Sequence, residues 1–162
     1  MGRKRNPVEP GEFEDPLHNY DPPQYEDDLE RSLCETQIKD MRITPVYCVT
    51  KDTPVSDVLE LMWTKETSCV VVADDAGKPL GVFSSKDVLN KVADNDAVRT
   101  KPISEVMTPN ARTVYATESP AKALNLMAIG GFRHIPVLNA DDKVVGMLAP
   151  RRTTAFLQEH LV

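Results

Sequence analysis

The sequence predicts an α+β fold made of two tandem copies of one unit, and three observations carry that expectation. An ungapped offset of 65 residues lays one half of the chain on the other. Within each half, stretches with apolar residues at helical spacing alternate with short β-branched runs bounded by turn residues. A chain of 162 residues can bury one good core or two small ones, since single domains commonly run to roughly 100–150 residues.

The offset places Ile38 on Ile103, Val49 on Val114, Leu59-Glu60-Leu61-Met62 on Leu124-Asn125-Leu126-Met127, Val72 on Val137, Lys78 on Lys143 and Gly81 on Gly146. Each unit reads β-α-β-β-α. In the first, VYCVT (46–50) is strand-like, and Thr53-Pro54 offers an N-cap followed by the proline favoured at the first helical position. Val55, Val58, Leu59 and Met62 then form one apolar stripe, which Trp63 extends. Strands CVVVA (69–73) and LGVFS (80–84) flank the turn DDAGK, and Ser85 to Val92 closes the unit as a helix.

The second unit repeats the order with RTVYA (112–116), a helix from Pro120 capped by Ser119, IPVLN (135–139), the turn ADDK, VVGML (144–148) and a last helix from Pro150 to Leu161. Ahead of both, residues 1–27 hold five of the thirteen prolines and almost no aliphatic residues, so they read as a disordered or loosely docked tail. From Asp27 onward, Leu29, Leu33 and Ile38 suit a short amphipathic helix. The expected organisation is tail 1–27, lead-in helix and first repeat 28–93, polar linker 94–102, and second repeat 103–162.

The net charge of −6 sits in the tail and lead-in helix: residues 1–40 hold eleven acids against five bases, and residues 41–162 hold fourteen of each. An acidic tail on a neutral body offers no clustered basic face for nucleic acid, which is not expected as a partner. Cys34, Cys48 and Cys69 have neither disulfide-framework number nor C-x-x-C spacing, which fits a reducing cytoplasm. No stretch is long and apolar enough to cross a bilayer, and Asn6 stands where a myristoylation signal needs Ser or Thr, so no membrane partner is expected. Cys48 and Cys69, in strand-like runs, read as buried small apolar residues rather than nucleophiles. Met62, Met127 and Trp63 read as helix packing. Asp74, Asp75, Asp141 and Asp142 fall in hairpin turns, where Asp is preferred for backbone reasons. No metal site, Walker-type loop or catalytic constellation is expected.

With VVVADDAGKPLGVFSSKDVL in one half and GFRHIPVLNADDKVVGML in the other, the repeat closely resembles a CBS domain pair, or Bateman module, over roughly residues 37–162. The resemblance implies two repeats packed about a pseudo-twofold axis, with adenosine compounds bound in clefts between them. Gly81-Val82-Phe83-Ser84-Ser85-Lys86-Asp87 fits the family's signature of Gly, two apolar residues, Ser or Thr, two variable residues and Asp. It implies that Ser84 and Asp87 hold the ribose hydroxyls, with Gly81 permitting close backbone approach. A carboxylate, a pure acceptor, can take both hydroxyl protons. In the second repeat Gly146-Met147-Leu148-Ala149-Pro150-Arg151-Arg152 departs from the signature, because Ala149 and Arg152 cannot serve as a ribose pair.

Basic residues before the second strand show the opposite loss: Arg133-His134 stands in repeat two and Ser68-Cys69 in repeat one. Ser84 and Asp87 with Arg133 and His134 would therefore assemble one complete site, leaving the other cleft empty or weak. Arg151 joins the phosphate group, since cations at a helix N-terminus suit a nearby anion. Ala111, Val114 and Val82 are expected to wall the adenine. Ser84-x-x-Asp87 is also the spacing of a helix capping box, and His134 and Arg133 also fit roles as a half-buried histidine and a surface charge. The implied function is a non-enzymatic regulatory module that requires no cofactor. It would bind AMP, ADP or ATP, with S-adenosylmethionine or NAD second in order, dimerise, and signal to an unidentified regulated protein. The alternative is a scaffold that binds no nucleotide and serves dimerisation and protein interaction.

Overall fold

The structure, a computed structural model, describes residue 21 and residues 23–161. Most of the expected tail thus lies outside the described residues. Helix α1 (Asp28–Glu35) starts at Asp27, whose Oδ1 accepts from the Glu30 amide at 2.7 Å, and Asp28 and Glu30 place negative charge at the positive end of the helix. The helix is shorter than the apolar spacing suggests. It stops at Glu35, and Ile38 opens a separate 3₁₀ turn, Ile38–Asp40, where it is fully buried.

The first sheet has strand order β1 (Cys48–Thr50), β2 (Cys69–Ala73), β3 (Pro79–Ser84), β4 (Thr108–Pro109), with β1 parallel to β2 and the remaining pairs antiparallel. Helix α2 (Val55–Thr64) connects β1 to β2. After β3 come the single turn α3 (Ser85–Asp87) and a π-helical turn, Val88–Val92. The second sheet, β5 (Val114–Tyr115), β6 (Ile135–Leu138), β7 (Val144–Leu148), has the same order and directions, with α4 (Pro120–Gly130) and α5 (Pro150–His160) in the equivalent places. Strands β1 and β5 are shorter than their β-branched runs suggest.

The two repeats exchange their leading segments. Ile38 N donates to Glu118 O and Lys39 N to Ala116 O, while Ile103 N donates to Thr53 O and Ser104 N to Lys51 O. These two pairs of hydrogen bonds superimpose under the 65-residue offset and express the pseudo-twofold. Ile103 and Val106 accordingly fill the first core with Val55, Val58, Val70, Val72 and Phe83, whereas Ile38 and Met41 fill the second with Val114, Ile135, Val137, Leu148 and Phe156. Cys69, Val71 and Met147 form a third cluster that joins the two sheets.

The stretch 94–102 does more than connect. Val98 is buried in the first core, and the Lys101 and Arg99 carbonyls accept from the Val55 and Ser56 amides, which the start of α2 leaves free. The expected Thr53 cap is not made: its hydroxyl pairs with Thr50 instead, and Ser119 likewise makes no side-chain cap. Two packing expectations are corrected. Trp63 lies one position past the stripe that Met62 completes and is 86% exposed, and Cys48 is exposed on an edge strand. No helix among the described residues is long and apolar enough to cross a membrane, and none of their acidic, His and Cys side chains group as a metal site.

Candidate functional site

Where β3 runs into α3, Ser84 is extended (φ −125°, ψ 168°) and caps the turn, and Asp87 sits three residues on, inside a capping box. Asp87 Oδ2 accepts from Ser84 N at 3.0 Å and from Ser84 Oγ at 2.8 Å. Its Oδ1 accepts from Lys91 Nζ at 2.7 Å and Thr108 Oγ1 at 2.9 Å. Burial of this carboxylate, only 7% exposed, pushes its pKa up, but the hydrogen bonds from Lys91, from the Ser84 side chain and backbone, and from Thr108 together outweigh that and hold it below the ordinary value. Asp87 is a buried anion whose charge is stabilised by donors.

Two of those donors were not singled out from the sequence. Lys91 stands four residues after Asp87, a helical ion-pair spacing that could have flagged it. Its ammonium also donates to Val106 O at 2.7 Å and Met107 O at 3.4 Å. Thr108 belongs to β4, the segment that repeat two lends to sheet one, so nothing local in the sequence reveals it. Gly81 makes that loan possible. A Cβ there would lie 2.5 Å from Thr108 O and 3.2 Å from Pro109 Cα, so the close approach expected of Gly81 is realised by protein backbone.

The basic half reaches the same region through a short chain of hydrogen bonds. His134, just before β6, places Nε2 3.0 Å from Ser68 Oγ, just before β2. The Ser68 carbonyl in turn accepts from Ser85 N at 2.9 Å and Ser85 Oγ at 3.3 Å. His134 is thus linked through Ser68 to the residue beside Ser84. Burial, and after it the charge of Arg133, lowers its pKa, so the ring favours the neutral form. The Arg133 and Arg151 side chains are exposed and form no hydrogen bond or ion pair with described residues. Of the residues expected around adenine, Ala111 and Val82 are half-buried. Val114 is 1% exposed within the second core, so it can offer a ligand only its backbone.

The equivalent place in repeat two is differently built. Under the offset Asp87 corresponds to Arg152, Lys91 to Phe156, and Thr108 to Ile43. A hollow of about 320 Å³ there is lined by Asp40, Arg42, Arg152, Phe156, Glu159 and His160, among others. It presents guanidinium donors where the first repeat presents a carboxylate. A further hollow, of about 440 Å³, lies between residues 25–31 and His160 and Leu161. The cysteines offer little chemistry at the seam: burial, and after it the Asp87 charge, push the Cys69 thiol up to about 12.

A family profile described as CBS domain matches residues 38–94 and 103–152. The chain belongs to the CBS domain family and carries two of its domains in tandem. Among solved structures it is similar to CBSX2 in complex with AMP, at 28% identity and a TM-score of 0.65, covering 76% of this chain and 96% of that one. It also shares its fold with the CBS domain pair of MJ0100 in complex with 5′-methylthioadenosine and S-adenosyl-L-methionine, at 21% identity, a TM-score of 0.68 and coverages of 76% and 97%. A 17.7 kDa uncharacterized protein of Acidianus ambivalens is 23% identical over 116 residues, 72% of this chain and 70% of that protein. The Arabidopsis thaliana protein CBSCBSPB1 is 26% identical over 115 residues, and the chain covers 70% of itself but spans 21% of that protein.

Proposed function

We propose that the chain is a regulatory module that binds an adenosine nucleotide, AMP, ADP or ATP, between its repeats and passes the change in packing to a partner protein. In this reading Ser84 and Asp87 take the ribose hydroxyls, Arg133, His134 and Arg151 take phosphate, and Ala111, Val82 and the Val114 backbone flank the base. The observation that carries it is the link from His134 through Ser68 to Ser85. It ties the basic half of repeat two to the acceptor half of repeat one, so that one ligand can touch both. The similarity to CBSX2, whose structure holds AMP, supports the ligand class.

A thermal-shift panel of adenosine compounds tests it. Ligand at about 100 times its dissociation constant stabilises by roughly 2.7 kcal/mol, or about 5–11 °C for a chain of this length. No shift with any of them, at concentrations up to several millimolar, rejects the sensor.

One observation favours a second reading, a scaffold without nucleotide: the Asp87 carboxylate is fully partnered within the protein. In either reading we expect a homodimer that works in the cytoplasm and carries no catalysis of its own. Trp63 and Ile129, 86% and 82% exposed at the C-terminal ends of the two equivalent helices α2 and α4, are the natural contact surface.

A further inference from the structure

A carboxylate offers about four acceptor sites, and at Asp87 four protein donors use them: Ser84 N, Ser84 Oγ, Lys91 Nζ and Thr108 Oγ1. A vicinal diol brings two more O–H donors: the one that bonds Asp87 must displace a protein donor, and the other is left to the Ser84 hydroxyl oxygen. We propose that Lys91 is the occupant a ribose displaces, so that Lys91 sets the affinity of this site and couples its occupancy to the seam between repeats. The proposal rests on the reading of Asp87 as the ribose acceptor.

The four donors differ in how readily they leave. Ser84 N is fixed at the start of α3, and the Ser84 hydroxyl belongs to the same capping box. Thr108 is held by β4, whose backbone pairs with Val82. Lys91 reaches the carboxylate on a flexible four-carbon stem with its side chain 38% exposed, so water can take over its ammonium. Packing does not require a lysine there, because the equivalent position of repeat two holds Phe156, a core residue.

Departure of Lys91 has a mechanical consequence. Its ammonium joins Asp87 to the carbonyls of Val106 and Met107, at the start of repeat two and immediately before β4, which pairs with Gly81 and Val82. An ammonium drawn off Asp87 no longer ties α3 to that segment. Ligand therefore favours a packing in which the Lys91 tie between Asp87 and the Val106 and Met107 carbonyls is released while Thr108 keeps its place, the differential affinity that a signal requires.

The test is isothermal titration of the full chain with AMP and with 2′-deoxy-AMP, using wild type and Lys91→Met. Removing the competing donor leaves a buried acceptor site for the diol, so AMP should bind Lys91→Met roughly tenfold more tightly, the scale of one charge-assisted hydrogen bond. The 2′-deoxy compound, one hydroxyl short, should gain much less. If wild type binds AMP and Lys91→Met binds it equally or more weakly, the Lys91 proposal is rejected and the nucleotide reading stands. Absence of binding by both proteins to AMP, ADP and ATP alike rejects both. Should Lys91→Met fail to fold, amine acetylation of wild type decides: AMP should raise labelling of Lys91 several-fold, and unchanged or reduced labelling overturns the displacement.

Discussion

Ile38 and Ile103, related by the repeat offset, are each fully buried in the core of the other repeat. The exchange makes neither repeat complete without the chain that precedes its partner, which also explains why Thr108 of the second half reaches Asp87 of the first. Deleting buried methyl and methylene groups costs about 2–5 kcal/mol for Ile→Ala. Ile38→Ala is therefore expected to destabilise by that amount, and hydrogen exchange should rise first in β6 and β7, although residue 38 precedes the first repeat. Exchange rising first in β2 and β3 would contradict the crossed assignment.

That crossing was the part of the fold the sequence left hidden. Strands 69–73 and 144–148 are legible to the residue, because a β-branched run ending at a turn has few other fates. The Ser84-Asp87 box is legible because its partners are local. What periodicity cannot register is which core receives a leading segment, since an internal offset matches equivalent residues and is blind to exchange between copies. Trp63 shows a related limit. At the edge of a helical stripe one residue of rotation separates Met62, which is buried, from a side chain almost wholly in solvent.

Gly81 and Gly146 are equivalent under the offset, but alanine should be tolerated unequally. A Cβ at 81 meets the Thr108 carbonyl at 2.5 Å and the Pro109 Cα, both backbone, whereas at 146 it meets the mobile end of the Ile43 side chain. Forced crowding of a packed site costs about 1–3 kcal/mol. Gly81→Ala is expected in that range and to disturb β4, with Gly146→Ala below about 1 kcal/mol on the same scale. Denaturant midpoints of the two variants check this, and equal losses would show that β4 yields as easily as a side chain.

Stability should fall toward acid in two windows. For His134, burial and then the Arg133 charge lower the pKa from its ordinary 6.5, so as pH drops below that value the unfolded chain takes up a proton the native ring resists. Native stability is then lost until the pH reaches the folded-state pKa. Asp87 is likewise lowered, from 3.8, so its contribution is fully present above 3.8 and is lost as pH falls through the depressed value. Urea midpoints measured from pH 8 to pH 3 should show both declines. His134→Gln should remove the upper one and Asp87→Asn the lower, and profiles that superimpose on wild type would contradict the assignments.

The single tryptophan gives a direct measure of self-association. Trp63 is 86% exposed, and Ile129 occupies nearly the equivalent place on the paired helix, so one monomer leaves two large apolar side chains in water. Covering an indole removes roughly 150–250 Å² from solvent, worth several kcal/mol at about 25 cal/mol per Å² before the entropy of association is subtracted. If the α2 and α4 ends form a dimer contact, Trp63 emission should be blue-shifted at micromolar concentration. It should move red on dilution in step with the mass seen by light scattering. Trp63→Ser should leave the far-ultraviolet spectrum unchanged and weaken the dimer at least tenfold, since interface tryptophans commonly account for 2 kcal/mol or more. A dimer of undiminished affinity in Trp63→Ser would place the contact on another face.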